Sequence, residues 1–371
     1  MRKKPTNQTG IGIVLYGRIL ITVDEGERQM SQAFSRFGLL SILSLLAIVF
    51  TVALTFATLQ LPVILGGWLS NYFPDIHTAM EPERIADFMA IARPIGYACL
   101  AVIAILIVAG FVTGKRGFSI FGSLAFFLPT FGYFFASMFF LAGLGILRVP
   151  FIPFWDPSIN LMNFGDISYL PYMALVYPFW LAGIDVRAVI GWVAIGLGLF
   201  IFFLGTIAWF YGKVQKKKTI NFWIYRYSRH PQYLGFIIWS YGVMLIAAQE
   251  PVVRGGSNPG ASLSWLLTSV VIVCVALAEE NSMRKVDSEG YSKYKAGAPF
   301  MFPIPKSLAT FITFPIRIML KKNQPETGKE LLATFAVYTV TLILLSLPFV
   351  LLDWPSGIGW SSWPGYIPGT S

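Results

Sequence analysis

The chain has 371 residues, 56% of them hydrophobic and 12% charged, with 28 Lys and Arg against 18 Asp and Glu for a formal net charge of +10. An ordinary soluble domain is about a quarter charged, so a water-soluble globular protein is excluded, and no nucleic-acid partner is expected. The two cysteines, Cys99 and Cys274, fall within apolar stretches, so no disulfide framework is implied.

Residues 1–36 read as a polar, partly basic leader on the cytoplasmic face. Its apolar run at 11–16 is too short for the core of a cleavable signal and precedes an acidic stretch. Uncharged segments close to the 20 or so residues needed to cross a hydrocarbon core of ~30 Å follow at 39–61, 94–113, 118–147, 188–212, 232–249, 262–278 and 331–352. The pair 232–249 and 262–278 is short, as suits a tight helical hairpin. Its connection, 250–261, holds the turn formers Gly255, Gly256, Ser257, Asn258, Pro259 and Gly260. The expected fold is therefore all-α, a polytopic transmembrane helical bundle with a cytosolic cap over a cofactor site.

Charge sets the orientation. Between residues 213 and 229 lie Lys213, Lys216, Lys217, Lys218, Arg226 and Arg229 with no acid, and 281–330 is also basic. The loop 70–88 instead carries Asp75, Glu81, Glu83 and Asp87 against Arg84 alone. The positive-inside rule puts the first two segments in the cytoplasm and the third outside. A full crossing by residues 168–184, which contain Pro171 and Pro178, would export the tri-lysine loop. That stretch therefore reads as a re-entrant or interfacial helix, which gives about seven spans; the rival count is eight, with the leader outside. The expected units are the leader 1–36, an N-terminal transmembrane region 37–187, a core 188–322, and a final span with aromatic tail 323–371. Trp354, Trp360, Trp363 and Tyr366 in that tail suit an interfacial belt. His77 reads as a solvated loop histidine, and no metal site is expected.

Three polar clusters meet the cytoplasmic membrane edge. The first runs from Tyr225 to Gly235 and leads straight into a span. Pro231 suits a first helical turn, where its missing N–H costs nothing, and a helix mouth flanked by Arg229 and His230 is a ready carboxylate site. The second is Glu279-Glu280, at the inner end of the next span; adjacent carboxylates at a membrane boundary need a partner or a task. The third is Tyr291-Ser292-Lys293-Tyr294-Lys295, followed by Pro299, Pro303 and Pro305. Beyond it, residues 306–322 alternate apolar residues with basic ends and read as an interfacial helix. The hairpin brings His230 and Glu279 to one face. Gly196-Leu197-Gly198 reads as close helix packing. No Gly-rich turn follows a predicted strand, so a nucleotide-type cofactor would need something other than a Rossmann site.

The run Tyr227-Ser228-Arg229-His230-Pro231-Gln232-Tyr233-Leu234-Gly235, then Glu279-Glu280, then Gly290-Tyr291-Ser292-Lys293-Tyr294 and Pro299, resembles the isoprenylcysteine carboxyl methyltransferases. The related phospholipid N-methyltransferases share the Arg-His-Pro-x-Tyr and Glu-Glu elements. The resemblance covers roughly residues 188–305. It implies S-adenosylmethionine as cofactor at the cytosolic membrane edge and a lipid or lipid-anchored acceptor, of prenylcysteine carboxylate or lipid headgroup type. Carried over, His230, Pro231, Tyr233, Gly235, Glu279, Glu280, Tyr291 and Tyr294 would hold the donor. Arg229 and Glu280 would serve catalysis, Arg229 by placing charged groups. A carboxylate acceptor needs no general base, whereas an amine needs one, and a Glu is the obvious candidate.

This chain departs from the prenylcysteine pattern at one point. After the Tyr pair it reads Tyr294-Lys295-Ala296-Gly297-Ala298-Pro299, with Gly297 where that family carries an Arg near the acceptor carboxylate. Lys295 could substitute only as a point charge, without the bidentate fork. Two other classes compete. Membrane sterol reductases share an Arg-His-x-x-Tyr-like element and use NADPH, but show Arg-Asp-Glu then Cys where this chain has Ala278-Glu279-Glu280-Asn281. A non-catalytic membrane subunit could also retain the fold.

Overall fold

The computed structural model describes residues 37–58, 60–69, 71–72, 82–127, 149–150, 153, 161–248, 262–302, 304–322 and 324–351. The leader 1–36, His77, the hairpin connection at 250–261 and the aromatic tail lie outside the described residues, as does 128–147 of the expected third span.

All the regular structure described is helical. In chain order the helices are α1 (Phe37–Thr58), α2 (Leu61–Leu69), α3 (Pro82–Thr113), α4 (Arg116–Phe127), α5 (Leu170–Leu181), α6 (Arg187–Val214), α7 (Pro231–Ala247), α8 (Ser262–Val286), α9 (Ser288–Gly297), α10 (Lys306–Leu320) and α11 (Gly328–Leu351). A 3-10 segment, Leu161–Tyr169, precedes α5, and another, Trp223–Arg226, precedes α7. Five helices are long and apolar enough to cross a bilayer: α1, α3 from Ala90, α6, α8 and α11. The chain is an integral membrane protein. Large apolar side chains such as Leu45, Phe50, Ile105, Val193, Phe200 and Leu344 point outward, where lipid would meet them.

Several helix limits differ from the sequence reading. Helix α3 starts at Pro82, and Pro94, where the expected span begins, lies inside it, removing one interior N–H from its ladder. Helix α5 has 12 residues, about 18 Å at 1.5 Å per residue. That is too short to cross, in keeping with a re-entrant or interfacial segment. Helix α7 has 17 residues, a little over 25 Å by the same rise. Helix α8 continues to Val286, so Glu279 and Glu280 sit well inside a helix rather than at its end.

Helix α8 is the hub. Two-thirds (67%) of its apolar window is buried, against 11–28% for the other four long helices. Small residues permit this, as between membrane helices generally: Ser264, Thr268, Cys274, Ala276 and Ala278 are all buried. Val271, Cys274, Val275 and Ala278 pack with Ile107 and Phe111 of α3 and Leu331 of α11. At its beginning, Ser262 Oγ donates to the buried Asp166 carboxylate at 2.5 Å, and Thr268 Oγ1 donates to the Ser123 carbonyl at 3.0 Å.

Helices α6 and α7 form the most extensive helix pair. Their backbones touch: a Cβ on Gly235 would stand 2.5 Å from the Phe202 nitrogen and 2.8 Å from the Gly198 oxygen, and one on Gly198 would collide with the Trp239 backbone. One heptad on, a Cβ at Gly242 would lie 2.6 Å from the Ile195 nitrogen. Gly198 thus serves helix packing, as the sequence suggested. This close approach fixes where the start of α7, and with it His230, stands. Helix α10 is amphipathic and leaves Leu308, Phe311, Ile312, Phe314 and Ile318 exposed; Tyr338 on α11 ties it down by donating to the Ile312 carbonyl at 2.6 Å.

Candidate active site

The site is built where the start of α7 meets the last third of α8. Ser228, Arg229 and His230 are non-helical and buried. His230 is the N-cap of α7, Pro231 opens its first turn, and the Ser228 Oγ accepts from the His230 N–H at 3.2 Å. Pro231 disfavours helical geometry at His230, and His230 accordingly has φ −130° and ψ 58°.

The anion expected at this helix mouth is the chain's own. Glu280 of α8, 2% exposed, accepts from Arg229 Nε at 2.6 Å through Oε1, and His230 Nε2 lies 3.4 Å from the same oxygen. Arg229 is itself 7% exposed. Its Nη1 donates to the Lys295 and Ala298 carbonyls at 3.1 and 2.8 Å, and its backbone N–H donates to Pro299 O at 3.0 Å. A cation on the last carbonyls of a helix also complements its dipole. Arg229 therefore binds three elements together: the entry to α7, the carboxylate of α8 and the end of α9. The Phe300 ring lies against this arrangement, 5.8 Å from the Arg229 guanidinium carbon and edge to face with the His230 ring at 5.1 Å.

Glu279 points elsewhere. Successive side chains on a helix lie about 100° apart, and while Glu280 is buried, the Glu279 side chain is 33% exposed. It accepts from the Tyr233 hydroxyl at 2.7 Å and lies 4.0 Å from His230 Nδ1. The His230 and Tyr233 rings stack at 5.9 Å. One carboxylate is thus consumed internally while its neighbour remains open to a ligand.

Helix α9 closes the cluster. Tyr294 donates to the Tyr225 carbonyl at 2.7 Å. Tyr291 is buried beside Glu280, yet its hydroxyl has no well-formed hydrogen bond among the described residues. Burial pushes the hydroxyls of Tyr225, Tyr291 and Tyr294 well above the usual tyrosine range, so all three remain protonated donors at neutral pH. Burial likewise holds the Lys295 ammonium below its ordinary range, with Glu280 opposing that shift. Replacing Tyr294 by Phe should lower stability by about 1 kcal/mol, the net worth of one hydrogen bond, measured as a drop in unfolding midpoint in detergent.

The structure gathers Arg229, His230, Tyr233, Glu279, Glu280, Tyr291 and Tyr294 into one cluster, with Pro231 at its edge. Gly235 is the exception: it faces α6, a turn away from His230 along α7. The sequence reading missed Gln324, whose Nε2 donates to Glu280 Oε2 at 3.3 Å while its Oε1 accepts from Lys295 Nζ. It also missed Phe300. Neither lies in a recognisable motif.

The start of α7 and the last third of α8 thus hold a partly exposed carboxylate beside a buried Arg–Glu pair. Residues 186–289 match the family model described as phospholipid methyltransferase, so this stretch is similar to a membrane methyltransferase domain. The match spans under a third of the chain and contains the α6–α7 pair, α8 and both glutamates, but ends before Tyr291 and Tyr294. No curated protein and no solved structure matches the chain.

Proposed function

We propose that the protein transfers a methyl group from S-adenosylmethionine to a lipid or lipid-anchored acceptor, at the cytoplasmic edge of the membrane. The observation that carries this reading is that the motif residues of a methyltransferase-like segment converge on one cluster that keeps a single carboxylate open. The residues present suit the donor. Glu279, half-buried and hydrogen-bonded by Tyr233, can accept from hydroxyl or ammonium groups, and the Tyr291 hydroxyl is a buried donor beside Glu280. His230 stacks on Tyr233, meets Phe300 edge to face, and offers a ring nitrogen toward either carboxylate. When bound, S-adenosylmethionine supplies an electrophilic methyl group on a sulfonium.

The chain's own contribution is position. In-line displacement is accelerated mainly by holding the partners in register, and this cluster is stiff: Glu280 cannot swing without breaking its bonds to Arg229 and Gln324. Arg229 acts as a positioning residue, its Nε and Nη1 being committed within the protein. Among acceptors, an amine headgroup is favoured over a carboxylate. The cations that could answer for the Arg absent at Gly297 are Arg229 and Lys295; the first is bound to Glu280 and two carbonyls, the second to Gln324. Glu279 then stands as the group able to take a proton from an ammonium.

The test is equilibrium binding of S-adenosylmethionine and NADPH to the detergent-purified protein, side by side. Saturable binding of the methyl donor alone is expected. Binding of NADPH would transfer the protein to the reductases, and binding of neither by folded protein would leave a structural role.

A further inference from the structure

Two residues from beyond the methyltransferase-like segment complete the Glu280 site. Arg229 and His230 both address Oε1 of Glu280, which leaves Oε2. Gln324, in the connection between α10 and α11, takes that second oxygen with its Nε2 at 3.3 Å. Its Oε1 accepts from Lys295 Nζ on α9. A carboxamide can serve a carboxylate and an ammonium at once, since it presents a donor and an acceptor on one planar head. A Glu here would repel Glu280, and a Lys would repel Lys295.

The backbone around Gln324 is fixed from three directions. Asn281, the residue after Glu280, donates through Nδ2 to the carbonyl of the buried Pro325 at 2.8 Å. One turn further along α8, Arg284 pairs with Glu326 at 3.0 Å. At the start of α11, Glu330 Oε2 accepts from the backbone N–H groups of Glu326 and Thr327 at 2.6 and 3.3 Å. The Glu330 N–H returns a bond to Thr327 Oγ1 at 3.2 Å. This is a reciprocal capping box. Lys322 adds ion pairs to Glu326 and Glu330 at 3.4 and 3.0 Å. A connection needing only to link two helices has no use for so many bonds to α8.

We infer that residues 324–327 are a strap across the site, and that Gln324 is a positioning residue. It locks the rotation of the Glu280 carboxylate and holds the Lys295 ammonium beside it. The final span α11 thereby sets the geometry of the donor site, although it lies outside the methyltransferase-like segment. This rests on the donor site proposed above.

The experiment compares Gln324→Glu and Gln324→Leu with the unaltered full-length protein in detergent, at pH 8 and pH 5.5. Two quantities are read: S-adenosylmethionine affinity, and backbone hydrogen exchange of residues 324–331 corrected for its intrinsic pH dependence. The groups facing position 324 are Glu280 and Arg284 of α8, Tyr291 and Lys295 of α9, Arg229 and His230 ahead of α7, and Lys322, Glu326 and Glu330 on its own segment. At pH 8 the Gln324→Glu carboxylate opposes Glu280. Affinity should fall at least tenfold and exchange should rise. Acidification adds a proton to the carboxylate pair at a pH that their mutual repulsion raises and the Lys295 ammonium lowers; once bound it restores a donor to Oε2, and both quantities should return toward those of the unaltered protein at the same pH. Gln324→Leu has neither charge nor amide and should be impaired at both pH values. A merely structural role predicts loss without recovery in both variants, and that result, or unchanged behaviour in both, overturns the inference. Should the unaltered protein bind no S-adenosylmethionine, the donor reading fails alone, because the exchange measurement still decides the strap.

Discussion

Replacing Arg229 or Glu280 by Ala should each destabilise the protein by about 3–5 kcal/mol, the cost of leaving one member of a buried ion pair without its partner. The two side chains are 7% and 3% exposed and meet at 2.6 Å, so water cannot take over the lost contact. Loss of Arg229 also leaves the Lys295 and Ala298 carbonyls without their donor. Read from sequence, Glu280 serves the ligand; its burial adds a structural duty, and a fall in donor affinity in Glu280→Ala alone would not separate the two. The double replacement Arg229→Met with Glu280→Leu does. An apolar pair of similar volume often recovers most of the stability of a buried ion pair, so the unfolding midpoint should rise back toward the starting value. Donor binding should stay lost, since the charge that orients His230 is gone. Single variants unfolding within about 0.5 kcal/mol of the parent, the usual range for a surface change, would show that the pair is not buried in solution.

Gly235→Leu should cost about 3 kcal/mol, the upper end of the usual range for overpacking. Its Cβ would stand 2.5 Å from a backbone nitrogen of α6, and backbone cannot rotate aside as a side chain can. The milder Gly235→Ala should also separate α6 from α7 and lower the midpoint by a smaller step. Whatever Gly235→Ala protein remains folded should still bind S-adenosylmethionine, weakened only as far as the displaced α7 carries His230 with it, because Gly235 faces α6 and not the carboxylates. A folded Gly235→Ala protein with intact midpoint and abolished binding would instead return this glycine to the donor pocket, where the motif resemblance alone would put it.

Much of this was legible in the sequence for definite physical reasons. Apolar runs long enough to span announce themselves by length alone, which is why α1, α3, α6, α8 and α11 were found. Their ends were not. The expected spans began at Pro94 and ended just before Glu279-Glu280, yet both sites lie inside longer helices, because polar turns continue a helix past its apolar run. The membership of the site was readable through residues that share motifs, Arg229, His230, Tyr233, Glu279, Glu280, Tyr291 and Tyr294. Their division of labour was not. Nothing local separates Glu279 from Glu280; only the position of Arg229 across the hairpin, 51 residues away from Glu280, decides which carboxylate is buried. Gln324 was out of reach for a similar reason. It sits among polar residues that read as a linker, and the expected end of the core at residue 322 excluded it. A contact made across 44 residues by an unremarkable glutamine leaves no periodicity and no spacing to detect.

The reach of Arg229 also bears on how the protein is made. Its acceptors are spread along the chain: Glu280 on α8, then the carbonyls of Lys295 and Ala298 some 66 and 69 residues further on than Arg229 itself. As the polypeptide emerges, α6 and α7 can enter the bilayer and pair through their glycine faces while Arg229 is still hydrated. The guanidinium is dehydrated only when α9 has been synthesised and folds back over it. The last acceptors of the guanidinium follow both helices of the hairpin in sequence, so its enclosure is complete only once α9 has folded back over it.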